Sequence, residues 1–139
     1  MISRVLDTSV AVAWYLPERY AIEARTWRTS LIEGRVRLIV PGLHYWEMAN
    51  VLRTYVRRGE ISADVAREIY TVHCEAGLEI AEPDRRSVLD VALEYDATSY
   101  DAVYVALSLE HQIPLLTAER TTTPWVVKLG TLASPVGRG

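Results

Sequence analysis

The feature that most constrains this chain is an alternation. Short, nearly unbroken apolar runs, each closed by a polar residue or a turn signal, are separated by segments with helical spacing. Ile2 to Leu6 is the first run, interrupted only by Ser3 and Arg4 and ended by Asp7. Leu38-Ile39-Val40 stops at Pro41-Gly42, Leu78 to Ala81 stops before Pro83, and Ile113 to Thr117 carries Pro114 near its start. Between them the spacing predicts helices over Val10 to Leu16, Tyr20 to Glu33, Leu43 to Arg58, Ser62 to Ala76, Asp84 to Tyr95 and Thr98 to Gln112. Val126 to Leu132 reads as a weak fifth strand or a last helical turn, and the Gly/Pro-rich tail from about residue 133 as loose. Strands that are apolar on both faces need a layer on each side. The expected fold is therefore an α/β three-layer sandwich, with helices flanking a short, mostly parallel central sheet.

With 139 residues, half of them hydrophobic, a single domain spanning 1–139 is expected. Charged residues make up 24 % of the chain, which excludes intrinsic disorder and a membrane bundle. The longest uncharged run, Thr8 to Pro17, is too short to span a bilayer, and Asp7 interrupts any secretory core begun at Met1. The one cysteine, Cys74, has no internal partner, in keeping with a reducing, cytoplasmic location. A formal net charge of −3 argues at first against a nucleic-acid partner. Yet all the basic residues except Lys128 are arginines, whose planar fork pairs bidentately with phosphate, and carboxylates committed to cations would reverse the sign. Net charge leaves RNA binding open.

Four acids stand where chemistry is expected. Asp7 falls between the first strand and a helix, where it is either a helix N-terminal acid favoured by the dipole or a functional group. Thr8 or Ser9 beside it serves as a cap, or supports the Asp7 carboxylate or a metal-bound water. Asp101 lies in a helix that is apolar on almost every side, so its carboxylate needs a partner or a cation. The alternative is a capping box with Thr98. Glu47 projects from the side opposite the apolar face of its helix, with Asn50 beside it, either solvated or lining a cleft. Glu119 follows the fourth strand, either as a loop acid or as a fourth member of the group. In a small parallel sheet the four can converge at one edge, and such a cluster is electrostatically untenable without divalent cations. All-oxygen ligation selects Mg²⁺ or Mn²⁺.

Competing chemistries fail. There is no Gly-rich phosphate loop and no nucleophile elbow. His44, His73, His111 and Cys74 lack zinc-ligand spacing, and His73 and Cys74, adjacent on a helix, point apart. Ser9 occupies the place of the second acid of an Asp-x-Asp phosphatase pattern, and Thr117 to Arg120 lacks the lysine of a receiver domain. Trp14, Trp27, Trp46 and the tyrosines have the rings to stack bases, but their apolar helix positions predict core or interface packing instead.

The stretches Val5-Leu-Asp-Thr-Ser-Val, Tyr45-Trp-Glu-Met-Ala-Asn-Val-Leu, Thr98-Ser-Tyr-Asp-Ala-Val-Tyr-Val-Ala-Leu and Leu115-Leu-Thr-Ala-Glu-Arg come in this order along most of the chain. In them the sequence resembles the PIN-domain ribonucleases, and more narrowly the VapC-type toxins of bacterial and archaeal toxin–antitoxin pairs. The resemblance implies that Asp7, Glu47 and Asp101 bind metal with Thr8 or Ser9 in support. It departs at the fourth acid, usually Asp in the family and Glu119 here. It further implies an endoribonuclease that cuts single-stranded or loop RNA by attack of a metal-activated water, a homodimer, and inhibition by a small VapB-like antitoxin. Arg53, Arg57, Arg58 and Arg120 are candidates for steering phosphate. The alternative is a PIN-fold RNA-binding or assembly module of weak catalytic power, and a third reading is a magnesium-dependent phosphatase. Trp14, Tyr15, Leu16 and Trp27 give the N-terminal helices more bulky apolar surface than a monomer needs, so association is expected there.

Overall fold

A computed structural model describes residues 1–137. Five strands, β1 (Ile2–Leu6), β2 (Val36–Val40), β3 (Glu79–Ile80), β4 (Leu115–Thr117) and β5 (Ala133–Pro135), form one sheet in the order β3-β2-β1-β4-β5. Every pairing is parallel, with Val5 opposite both Ile39 and Leu115. Seven helices connect them: α1 (Thr8–Val12), α2 (Ala21–Ile32), α3 (Leu43–Arg57), α4 (Ala63–Cys74), α5 (Arg85–Tyr95), α6 (Ser99–His111) and α7 (Pro124–Leu129).

Alternate residues of each central strand feed opposite cores, as a strand covered on both faces requires. Leu6, Leu38, Val40 and Leu116 pack with Trp14, Ala21 and Ala24 on one face. Val5, Ile39 and Leu115 pack with Tyr104, Val105, Leu107 and Trp125 on the other. A third cluster, Val12, Leu16, Met48 and Leu52, joins α1 to α3 and to the inner side of α4. The chain builds outward from β1 through β2 to β3 and then returns to place β4 and β5 on the other side. The strand order thus reverses between β1 and β4, leaving a crevice at their carboxyl ends, the general location of ligand sites in such sheets.

One expectation is corrected. Residues 133–136 are not loose: β5 pairs with β4, Val136 is fully buried, and its N–H donates to the Thr117 carbonyl at 2.8 Å. Of the two readings of Val126 to Leu132 the helical one holds, since the segment is the end of α7 and a 3₁₀ turn, and the fifth strand begins just after it. Arg138 and Gly139 lie outside the described residues. The four residues on which association was expected are drawn into the core, while Ile22 and Ile32 of α2 are exposed. Trp14 and Leu16 are each 3 % exposed, the Trp14 indole donates to the Ala24 carbonyl, and Tyr15 and Trp27 are half-buried against the same core.

Candidate active site

The crevice between β1 and β4 is a cavity of about 310 Å³ lined by Asp7, Thr8, Ser9, Val12, Glu47, Asn50, Val51, Asp101 and Glu119. All four predicted acids and all three supporting residues stand on it. Asp7 ends β1 and occupies the N-cap position of α1, yet its carboxylate makes no capping bond. It is turned into the crevice instead, where Oδ2 accepts from Ser9 Oγ at 3.0 Å and Thr117 Oγ1 at 2.9 Å. Those hydroxyls are themselves fixed by the strand-to-loop turn: Ser9 Oγ accepts from Ala118 N and Thr117 Oγ1 from Glu119 N, each at 3.1 Å. The turn that presents Glu119 therefore also orients Asp7.

Asp101 stands in a capped first turn and on the crevice. Thr98 caps α6, its hydroxyl accepting from Asp101 N at 3.1 Å, and this fixes the first turn from which the Asp101 carboxylate faces Glu119 and Glu47. Burial pushes Asp7 up from 3.8 to about 7, against the pull of Thr117 and with repulsion from Asp101 and Glu47 adding to the rise. Asp101 is raised as well, first by burial and then by Glu119 and Glu47. Carboxylates that destabilise one another's charged forms in a walled crevice form a site for positive charge.

The residues fit a divalent cation of the hard, oxygen-seeking kind. The donors are carboxylates and hydroxyls, and the cavity leaves room for water. Among the described residues no three acidic, histidine or cysteine side chains close around an ion by themselves. Mg²⁺ usually takes one or two carboxylates and fills its octahedron with water and substrate phosphate.

Behind the acids lies a buried chain that the sequence reading missed. Glu47 Oε1 accepts from Thr8 Oγ1 at 3.0 Å and from Tyr104 OH at 2.7 Å, and those two hydroxyl oxygens are 2.7 Å apart. His44 Nδ1 lies 3.2 Å from both, His44 Nε2 lies 2.9 Å from His73 Nε2, and His73 Nδ1 lies 2.8 Å from Tyr15 OH. Burial holds His44 down to about 3, with His73 adding to the effect, and burial with Arg28 nearby holds His73 down to about 4. Both rings are neutral at pH 7, and with the Thr8 and Tyr104 hydroxyls both donating to Glu47 one arrangement carries the run from His44 to Tyr15. The hydroxyl protons of Thr8 and Tyr104 are taken up by the contacts around Glu47, so His44 Nδ1 supplies its own. His44 Nε2 then accepts from His73 Nε2–H, and His73 Nδ1 accepts from Tyr15. These histidines were dismissed as zinc ligands by spacing. Packing of α3 against α4, which no linear spacing encodes, brings them together; His73 is buried and Cys74 exposed, as expected of neighbours on a helix.

The predicted arginines are not on the acid cavity. Arg53 and Arg57 line a separate groove between α3 and α4 together with Leu52, Val56, Arg67 and Tyr70. Arg58 and Arg120 are exposed, at the end of α3 and just after Glu119. Trp46, expected to pack, is 70 % exposed.

A model of the PIN domain matches residues 4–121, a span that contains every acid of the crevice. The chain belongs to the PIN-domain family. PIN domains are generally nucleases and typically use a divalent metal. The fold is also similar to the crystal structure of PAE2754 from Pyrobaculum aerophilum, with a TM-score of 0.72 and 21 % identity over 97 % of this chain and 90 % of that one. No curated protein matches the chain. In this PIN domain no helix among the described residues is long and apolar enough to cross a membrane.

Proposed function

We propose that this PIN domain is an Mg²⁺- or Mn²⁺-dependent endoribonuclease that hydrolyses phosphodiesters in unpaired RNA, and that it acts as the toxin of a toxin–antitoxin pair. The observation that carries the reaction is the convergence of Asp7, Glu47, Asp101 and Glu119 on one crevice, with Asp7 buried and pushed up to about 7. Asp7 and Asp101 would hold a cation on one side, with Glu47 and Glu119 lining the other. When bound, the cation lowers the pKa of a coordinated water and offsets charge building on the leaving 3′ oxygen. Ser9 and Thr117 keep the Asp7 carboxylate pointed into the crevice, and Thr8 and Tyr104 do the same for Glu47. A duplex backbone is too stiff to bend into a walled acidic crevice, which favours single strands and loops.

The toxin assignment rests on the resemblance of the four motifs. The α3–α4 groove supports it: an apolar floor bordered by Arg53, Arg57 and Arg67 suits an amphipathic segment of an antitoxin. A homodimer belongs to the same reading. The test is cleavage of a single-stranded RNA with Mn²⁺ added, then chelated, then restored. Cleavage should follow the metal. RNA binding without cleavage under all three conditions would instead support the weakly catalytic module, which the departure at Glu119 favours. Co-expression with the product of the neighbouring upstream gene should give a stable complex that cleaves more slowly than the free chain.

A further inference from the structure

Two large aromatic rings that the fold does not use stand beside the acids. Trp46 is 70 % exposed and Tyr100 62 % exposed, and among the described residues neither has a hydrogen-bond or ring partner. The contrast within the chain is sharp: Trp14 and Trp125 are each 3 % exposed and Trp27 is half-buried. Each exposed ring directly precedes an acid of the crevice, Trp46 before Glu47 on α3 and Tyr100 before Asp101 in the first turn of α6. Together they line a second cavity of about 370 Å³ with Leu43, Glu47 and Asn50. Glu47 and Asn50 belong to both cavities, so the two are contiguous.

We propose that the Trp46–Tyr100 cavity receives one unpaired base of the RNA strand, next to the phosphodiester held at the acids. The proposal rests on the ribonuclease reading and names the subsite that reading lacks. A strand whose phosphate sits at Glu47 must place an adjoining nucleotide in whatever opens beside Glu47. That space has two π-faces and one apolar floor residue, Leu43, and Glu47 is its only charged residue, so it suits a planar neutral base and not a second phosphate. Base–aromatic stacking is a general source of single-strand affinity because every base has a π-face. The Asn50 carboxamide offers a donor and an acceptor to the base edge, the chemistry by which amide side chains read bases elsewhere. The site would also select against duplex, in which the base stays stacked on its neighbours.

Binding of a labelled unpaired RNA is read by fluorescence anisotropy in Ca²⁺, whose looser coordination holds phosphate without the geometry for turnover. Cleavage is read separately in Mg²⁺ or Mn²⁺. Trp46→Ala should weaken binding about ten-fold and Trp46→Phe far less. In an RNA series with the base removed at one position at a time, wild type should lose the same factor at a single position beside the cleavage site, and Trp46→Ala should lose nothing further there. Circular dichroism should show the fold unchanged, since the ring belongs to none of the buried clusters. Wild-type affinity in Trp46→Ala, or independent losses from the variant and the missing base, overturns the proposal. So does a change in solution mass on Trp46→Ala, which would make this face a contact between copies. Position-specific binding without cleavage supports the pocket and refutes the proposed reaction, whereas cleavage indifferent to both changes refutes the pocket and leaves the reaction standing.

Discussion

Asp7 binds its proton more tightly in the folded protein than in the unfolded chain, because burial raises it from 3.8 to about 7. Its contribution to stability is therefore fully present below about pH 4 and is lost as the pH rises through about 7. Metal-free wild type should lose thermal stability between pH 6 and pH 8 by several degrees more than Asp7→Asn, which has no charge to bury. Parallel melting curves for the two proteins would show that Asp7 is not the strained group. Mn²⁺ should stabilise wild type more at pH 8 than at pH 6, where the proton competes, and Asp7→Asn should not respond. The histidine pair makes a second residue-scale prediction. Nitrogen-15 shifts should show His44 protonated on Nδ1 and His73 on Nε2, unchanged from pH 5.5 to pH 8, and the opposite tautomers would mean that Thr8 or Tyr104 donates to His44 and only the other hydroxyl holds Glu47. Asp7, Asp101 and Glu119 are legible in the sequence because an acid after a strand, or inside an apolar helix, contradicts its surroundings, whereas Glu47 lies on a polar helix face and is singled out only by the motif it stands in. His44, His73 and Tyr104 are not legible, since each is ordinary on its own helix and gains meaning only from what packs against it.

Helix caps separate fold from function at the scale of the element. Ser62 and Thr98 make the same bond, each hydroxyl accepting from the backbone N–H three residues on. Replacing either with Ala should cost about 1 kcal/mol. Only Thr98 starts the turn that presents Asp101, so Thr98→Ala should also reduce cleavage and metal affinity, whereas Ser62→Ala should leave both unchanged. Equal activity losses in the two variants would mean that stability, not presentation, sets the rate. The long helices were readable within a residue or two of their ends, because their periodicity and stop signals agree. At Trp46 the core does not reach the ring; an aromatic residue in an amphipathic helix reads as core or interface packing until the neighbouring layer is known.

The site belongs to the whole molecule in that the strand order sets it. Strands β1 and β4 diverge in connection at the point where Asp7 and Glu119 emerge, and β5 closes the sheet beside them. Ala133-Ser134-Pro135 has no apolar run to announce a strand; it is a strand only because the β4 edge is open to it, which explains why the tail read as loose. Removing residues 133–139 should lower the melting temperature by roughly 5 °C or more. It should also weaken the Mn²⁺ response, since the truncation frees the Thr117 backbone that steadies Asp7.

The central claim is that this crevice directs water onto phosphorus with the 3′ oxygen leaving. End-group analysis of RNA cut in Mn²⁺ tests it most directly. Wild type should give 5′-phosphate and 3′-hydroxyl ends, and a folded Asp101→Asn variant should not cleave. Cyclic 2′,3′-phosphate ends, or the same products from Asp101→Asn, would contradict it.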